Sequence, residues 1–424
     1  MKFKVSKLKQ NELLIQYILI VDFSVGLISS FIPAAHSLFY TIDLANILLL
    51  MNLFYKGNYK KLFTGLVKPL TIWVFVFFSY ALIISLLNLK SPMLLLWAIR
   101  NNFRYFVFFF SCVLWVKGGL KLFERLTWVN FFTVMFEFLI MGKRQDWIGG
   151  IFGFIGGDVN APLNIFLIVI TTNSIICYLN KKESLRLFLL KSASSFIISA
   201  IAELKIFYIE YAMITVFALL ITNFTLKKVL VIFVFIIGAL VSIRILYIVI
   251  PRLDPDFFTV THMYRYVTSS QGYTSTGDMN RFTFIGQCNE LLKTGRHILT
   301  GLGLGNCEVA TNIGWYSEFY KLYSYTHYNW MSSSFIYLEL GLIGMALYFC
   351  FFIIVFIQIR KKQRIIVDKT KCQVCSIIAL SSIVLILYNS SMRGNYGYLV
   401  YYVLSLPFVS DKRKVMLKGE KYDS

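Results

Sequence analysis

The sequence predicts an all-α polytopic membrane protein: about twelve transmembrane helices, both ends on the cytoplasmic side, and one large outer loop between spans nine and ten. Three observations predict it. Of the 424 residues, 58% are hydrophobic and 40 are Phe, with a mean hydropathy of +0.68, well beyond the apolar fraction of a soluble domain. Apolar stretches of roughly 20 residues, the length that crosses a hydrocarbon core of about 30 Å, recur along the whole chain. Lysine and arginine concentrate in alternate connectors, as the positive-inside rule requires of cytoplasmic segments.

Taken in order, the first six spans are expected near residues 13–31, 36–54, 66–87, 93–116, 126–141 and 164–179. The second six are expected near residues 189–203, 207–225, 229–250, 331–359, 374–388 and 396–409. The first apolar segment is full length and has no small-residue cleavage pattern after it, so it is expected to serve as its own insertion signal. Spans seven and eight must be short or tightly turned around Lys205. The chain thus divides into nine helices over residues 1–250, an outer loop over 251–330, and three helices with a cytoplasmic tail over 331–424.

With the N-terminus inside, the inner segments collect clusters such as Lys56, Lys60, Lys61 and Lys68, then Lys181, Lys182, Arg186 and Lys191. The net charge of +21 then faces anionic lipid head groups, which explains it without nucleic acid. The outer loop holds six basic and six acidic side chains and no basic tract interleaved with aromatics, so no nucleic-acid partner is expected.

Cys372 and Cys375 have metal or redox spacing but no further ligands nearby, and incidental thiols are the commoner outcome. Cys288 and Cys307 share the outer loop and could pair in an oxidising envelope, a distance that sequence does not settle. All four histidines, His36, His262, His297 and His327, fall on the outer side in this topology. Imidazole is suited to taking a proton near neutral pH, so acid–base chemistry belongs outside the membrane.

Within the outer loop, Asp278 is expected to cap a short helix over residues 281–293, with Ile285, Cys288 and Leu292 on one face. Gly301, Gly303 and Gly305 then alternate with leucines before Asn306. Such a backbone can turn sharply or approach a ligand closely. The aromatics that follow, among them Trp315, Tyr316, Tyr320, Tyr325, Tyr328 and Trp330, suit a membrane-interface belt first and a sugar-stacking platform second. His327 and Asn329 come just before a helix of some thirty residues. That is about 45 Å at 1.5 Å per residue, so its first turns, with Glu339, must stand above the bilayer or in a protein-enclosed cavity. Gly341 and Gly344 offer small residues for close helix packing.

The order Arg281, a helix, a Gly303-x-Gly305-Asn306 turn, an aromatic segment, then His327-x-Asn329 leading into Leu-Glu-Leu-Gly-Leu-Ile-Gly at residues 338–344 resembles the bacterial O-antigen polymerase (Wzy-type) and O-antigen ligase family. The family's usual pattern has His-Asn without a gap, whereas Tyr328 intervenes here. A glycine-rich segment at residues 146–160, DWIGGIFGFIGGDVN, is similar to segments of such polymerases.

The resemblance implies a glycosyltransferase of type C architecture. Its substrate would be an oligosaccharide on undecaprenyl diphosphate, and a chain-length regulator and a flippase would be its protein partners beside the lipid bilayer. It implies His327 as the base for the acceptor hydroxyl and Arg281 at the diphosphate. Gly303, Gly305, Asn306, Asn329 and Glu339 follow as substrate-contacting motif positions. Diphosphate charge grows as the anomeric bond breaks, and guanidinium groups stabilise it bidentately. On chemistry alone, Arg393 before span twelve and Arg100 or Arg104 in span four are further candidates, while Arg244 is placed to snorkel. No Asp-x-Asp or His/Cys cluster stands in the outer loops, so neither a metal nor another cofactor is expected. Asp22, Asp43, Glu137 and Glu210 lie within spans, where helix–helix contacts weigh at least as much as catalysis.

A flippase or other twelve-span transporter is the competing class. Two similar six-span halves would be its signature, and the single long outer loop has no counterpart in the first half. A non-catalytic membrane scaffold is the third class. Polymerase and ligase share these motifs; polymerase is preferred because nothing here indicates a lipid-core acceptor.

Overall fold

The computed structural model describes residues 7–154, 159–222, 225–250, 276–366 and 369–409, with 259, 261, 264, 273 and 274. His262 and residues 155–158 of the glycine-rich segment lie outside them. The chain is helical almost throughout. Helices α1 (Lys7–Phe31), α2 (Phe39–Phe54), α3 (Lys68–Leu87), α4 (Pro92–Trp115), α5 (Lys121–Leu139) and α6 (Asn160–Leu179) are followed by α7 (Leu185–Ile201), α8 (Lys205–Ile221) and α9 (Lys227–Val249). The long connector carries α10 (Phe284–Leu292), α11 (Gly295–Thr300), a small antiparallel hairpin of β1 (Val309–Ala310) and β2 (Trp315–Tyr316), and α12 (Glu318–Tyr323). Helices α13 (Ser332–Gln363), α14 (Thr370–Tyr388) and α15 (Tyr398–Ser405) complete the chain.

Among the described residues, seven segments are long and apolar enough to cross a membrane: Gln10–Phe31, Pro33–Phe54, Gly65–Leu87, Asn160–Leu179, Lys227–Val249, Ser332–Gln363 and Thr370–Tyr388. The chain is an α-helical, multi-pass membrane protein. Helices also occupy the other five expected positions, and each has a reason to fall short by length or apolarity. Helix α4 carries Arg100, Asn101, Asn102 and Arg104 through its middle, and α5 carries Lys121, Glu124, Arg125 and Glu137. Helices α7 and α8 have 17 residues each, and α15 has 8.

Packing sorts the helices by position. In α6, 94% of the apolar window is buried, so it runs through the centre of the bundle, whereas in α9 only 17% is buried. Large apolar side chains such as Leu44, Ile47, Ile83, Leu86, Ile237 and Leu240 point outward, which suits lipid and not water. Between α5 and α6 the chain folds back into the bundle. The Glu137 carboxyl accepts the amides of Gly149 and Gly150 at 3.1 and 2.9 Å, and Gly26 of α1 lies so close that a Cβ there would meet the Phe152 carbonyl oxygen at 2.0 Å.

The long helix expected after residue 330 is present but not continuous. Gly341 adopts φ 67° and ψ −170° and breaks α13. Only glycine takes that conformation without strain, and the close packing expected of Gly341 is present as well: a Cβ there would meet the Leu299 backbone of α11 at 2.4 Å. The break leaves carbonyls without helical partners inside the bundle, where each needs one. The amides of Leu302 and Gly303 take Leu338 and Glu339 at 2.9 and 2.7 Å, and the Tyr80 hydroxyl takes Leu340 at 3.0 Å. A Cβ on Gly301 would lie 2.3 Å from Glu339 backbone, so glycines on both chains make this crossing possible.

Candidate functional site

The structure gathers most of the predicted residues at one end of the bundle, in two groups of different character. The first is a buried charge cluster. Arg100 of α4 donates through Nε and Nη2 to Asp43 of α2 at 3.0 and 2.7 Å, and through Nη1 to Asn101 at 2.8 Å. Arg104, one turn on, lies 3.6 Å from the same Asp43 and donates to the carbonyls of Arg393 and Gly394. Arg393 pairs with Glu308, which also accepts from Asn101 at 3.2 Å, and lies 3.6 Å from Glu339. Its guanidinium stacks over Phe335 at 3.7 Å. Three arginines thus meet three carboxyl groups from five segments of the chain.

The glycine turn is built around this cluster. Gly305 and Cys307 donate their amides to the Glu339 carboxyl at 2.8 and 3.3 Å, and Leu304 donates to the Ser85 hydroxyl at 2.8 Å. Asn306 donates its side-chain amide to the carbonyls of Asn88, at 2.8 Å, and Leu302. A Cβ on Gly305, whose φ is 90°, would meet the Leu94 backbone at 2.6 Å. Gly303, Gly305 and Asn306 were expected to contact substrate, but their polar groups are committed to the protein. They hold Glu308 and Glu339 in place. Arg100, Arg104 and Arg393 likewise each engage carboxyl or carbonyl oxygen, through a part-buried pair at Arg100 and buried contacts at Arg104 and Arg393, so binding a diphosphate would compete with those contacts.

The second group lies on the loop itself. His327, in the left-handed conformation (φ 50°), directs Nδ1 to the Asp278 carboxyl at 2.5 Å and stacks its ring on Trp330 at 4.1 Å. Asp278 does not cap a helix, since α10 begins only after Thr283 and buries Phe284, Gln287, Cys288 and Leu292 while Ile285 is exposed. Burial pulls the Asp278 carboxyl upward, but hydrogen bonds from Thr276 and His327 outweigh it and hold the group below its ordinary value. A carboxylate only accepts, so a neutral His327 must carry its hydrogen on Nδ1 and its lone pair on Nε2. The side chain is 42% exposed, and no hydrogen bond among the described residues engages Nε2.

Arg281 belongs to this second group. The Met279 amide bonds to the Thr326 carbonyl at 2.7 Å, which ties the segment bearing Asp278 and Arg281 to the residue before His327. Arg281 gives Nε to the Tyr388 carbonyl at 2.8 Å and stacks on the Tyr388 ring at 4.5 Å. Those contacts fix the stem and leave the paired Nη nitrogens without a hydrogen bond among the described residues. Asp146 lies within electrostatic reach: burial and then the Glu203 carboxyl push it up, while Lys205 and Arg281 act against them.

The two groups meet between residues 328–335 and 388–393. Ser332 bonds to Asn389 through both its amide and its hydroxyl at 3.0 Å, and the buried Tyr328 donates to the Cys307 carbonyl at 2.6 Å. Four buried polar atoms here have no hydrogen-bond partner among the described residues: Asn329 Oδ1, Ser333 Oγ, Ser391 Oγ and Arg393 Nε. Buried polar atoms are nearly always paired, so such a concentration calls for a physical explanation. Cys288 and Cys307 are both buried free thiols, and burial raises each above the ordinary thiol value.

No protein-family model matches the chain, and no curated protein matches it in sequence.

Sequence reasoning missed Glu308 and misassigned Asp278. Glu308 follows directly on the glycine turn and is one of few acids in the loop, a signal that was present. Asp278 differs: its pairing with His327, 49 positions away, leaves no local trace.

Proposed function

We propose that this protein is a membrane glycosyltransferase that polymerises undecaprenyl-diphosphate-linked oligosaccharide repeat units, as in O-antigen, capsular or exopolysaccharide synthesis. In this proposal all twelve helices cross the cytoplasmic membrane of a bacterium, both ends lie inside, and the site faces outward. The observation that carries the proposal is the dyad of His327 and Asp278, with Nε2 free of hydrogen bonds among the described residues and Arg281 three residues after Asp278.

In the reaction, Nε2 of His327 takes the proton of an acceptor sugar hydroxyl. The freed oxygen attacks the anomeric carbon of the donor, the bond from that carbon to the phosphate oxygen breaks, and undecaprenyl diphosphate leaves with the electron pair. Asp278 keeps the imidazole in the productive tautomer and stabilises the charge it acquires. The Nη pair of Arg281 matches two phosphate oxygens side by side, where negative charge develops. Asn329, Ser333 and Ser391 supply unpaired polar atoms, and a sugar brings hydroxyls that could pair with them. The resemblance of the motif to O-antigen polymerases supports the same chemistry; a ligase would differ only in the acceptor.

The test is His327→Ala in cells and in purified protein. Loss of the base costs roughly 10²–10⁴ in rate. Polymer should disappear, single-repeat lipid-linked substrate should accumulate, and protein level should stay normal. His297→Ala, on α11 and outside both groups, should leave polymer nearly unchanged. Normal polymer from His327→Ala would reject the proposal.

A further inference from the structure

The far end of α13 holds a second feature that the proposed chemistry does not use. A cavity of about 770 Å³ lies between the ends of α6, α8 and α13 and the start of α14. Its volume is that of a small-molecule site. Five cationic side chains line it: Lys181 and Lys182 from the turn after α6, Arg360 and Arg364 from the last turns of α13, and Lys369 before α14. No acidic residue is among the described residues that line it; Asp368 lies outside the described residues. Glu183, next in sequence to Lys182, is already held by Lys191 at 2.9 Å and by Ser174 at 2.6 Å.

Basic residues at helix ends are common in membrane proteins, but they ordinarily fan out into water or toward lipid. Here three separate segments turn theirs onto one space. The wall beneath them is polar: Asn180 donates to Gln373 at 2.6 Å, and buried Gln363 and Thr370 complete it. Cationic side chains brought to one space make it favourable for an anion. Arg360, in the last turn of α13, donates to Gln363 at 2.7 Å, and Arg364, the residue that ends the helix, lines the same cavity. Amide and hydroxyl groups around them suit phosphate oxygens.

We propose that this cavity binds a phosphate-bearing anion, from either a phospholipid head group or a soluble diphosphate. The proposal stands independently of the glycosyltransferase reading, because it involves none of the residues of the two groups above.

The experiment compares the full-length protein, Arg360→Gln/Arg364→Gln and Lys60→Gln/Lys61→Gln. The last removes the same charge from residues 55–63, at the same end of the bundle but outside the cavity. Inorganic pyrophosphate is titrated onto detergent-solubilised protein by calorimetry, and retention of phosphatidylglycerol against phosphatidylcholine is read by native mass spectrometry. The wild type should bind one of the two anions saturably. The arginine variant should bind about thirtyfold more weakly, as expected for two lost cations, and the lysine variant should bind like the wild type. Pyrophosphate binding identifies a soluble ligand; phosphatidylglycerol retention without it identifies the head group. Binding of neither anion, equal binding by the arginine variant, or equal loss in the lysine variant would overturn the proposal.

Discussion

The two groups of charged residues at one end of the bundle use the same side-chain types for opposite purposes. In the buried cluster, Arg100, Arg104 and Arg393 are matched by Asp43, Glu308 and Glu339, and the glycine turn supplies the remaining donors. On the loop, His327 and Arg281 each spend one side on the protein and keep the other open. In the proposed function the paired cluster serves structure and the partly committed residues of the loop serve chemistry. A buried arginine held by two carboxyl groups is a poor diphosphate ligand, because taking up the ligand strands the carboxylates. A half-buried arginine whose stem is fixed has lost its entropy in advance and still offers its fork.

Three substitutions can break or sharpen that contrast. The largest effect is expected from Glu308→Ala, which leaves Arg393 buried without its nearest partner. Breaking a buried pair costs about 3–5 kcal/mol. The variant should therefore show a much lower melting temperature and poor accumulation in the membrane; a fully stable but inactive Glu308→Ala would move Glu308 from scaffold to chemistry.

Arg281→Lys comes next and should act on rate alone. It keeps the charge and loses the planar fork, so activity should fall about tenfold to a hundredfold with the melting temperature unchanged. Wild-type polymer from the lysine variant would reduce Arg281 to a point charge.

The smallest effect concerns pH. The Asp278 carboxyl lies below its ordinary value, so the stability it contributes is complete above about pH 4, the unfolded carboxylate value. That contribution is lost as pH falls through the lower folded value. Melting curves of wild type and Asp278→Asn should differ by a constant amount from pH 7 to pH 5 and converge in stronger acid. Curves that stay parallel throughout would mean that the contact with His327 does not depend on the ionised carboxylate.

Helix positions were readable from the sequence because apolar length is a local signal. All twelve expected span positions carry helices, although seven segments meet the length and apolarity expected of a crossing helix. The order of Arg281, the glycine turn and His327 along the connector was readable too, since these are linear landmarks. Three-dimensional roles were not. The close packing at Gly341 was readable, but the break there was not, because a glycine at a break and a glycine at a close crossing look alike in sequence. The interior arginines looked like anion ligands because sequence does not reveal which carboxyl groups face them: Asp43 is 57 positions from Arg100, and Glu308 is 85 from Arg393. Asp278 was read from its neighbours in the chain, while its partner in space lies beyond α10 and the hairpin.

The most direct test of the account is His327→Gln, assayed with purified lipid-linked repeat units. Glutamine retains hydrogen bonding toward Asp278 but takes no proton. The account predicts correctly folded protein, no polymer, and unconsumed single-repeat substrate. Polymer formed at the wild-type rate by the glutamine variant would contradict it, and would leave His327 as an anchor for the turn before α13.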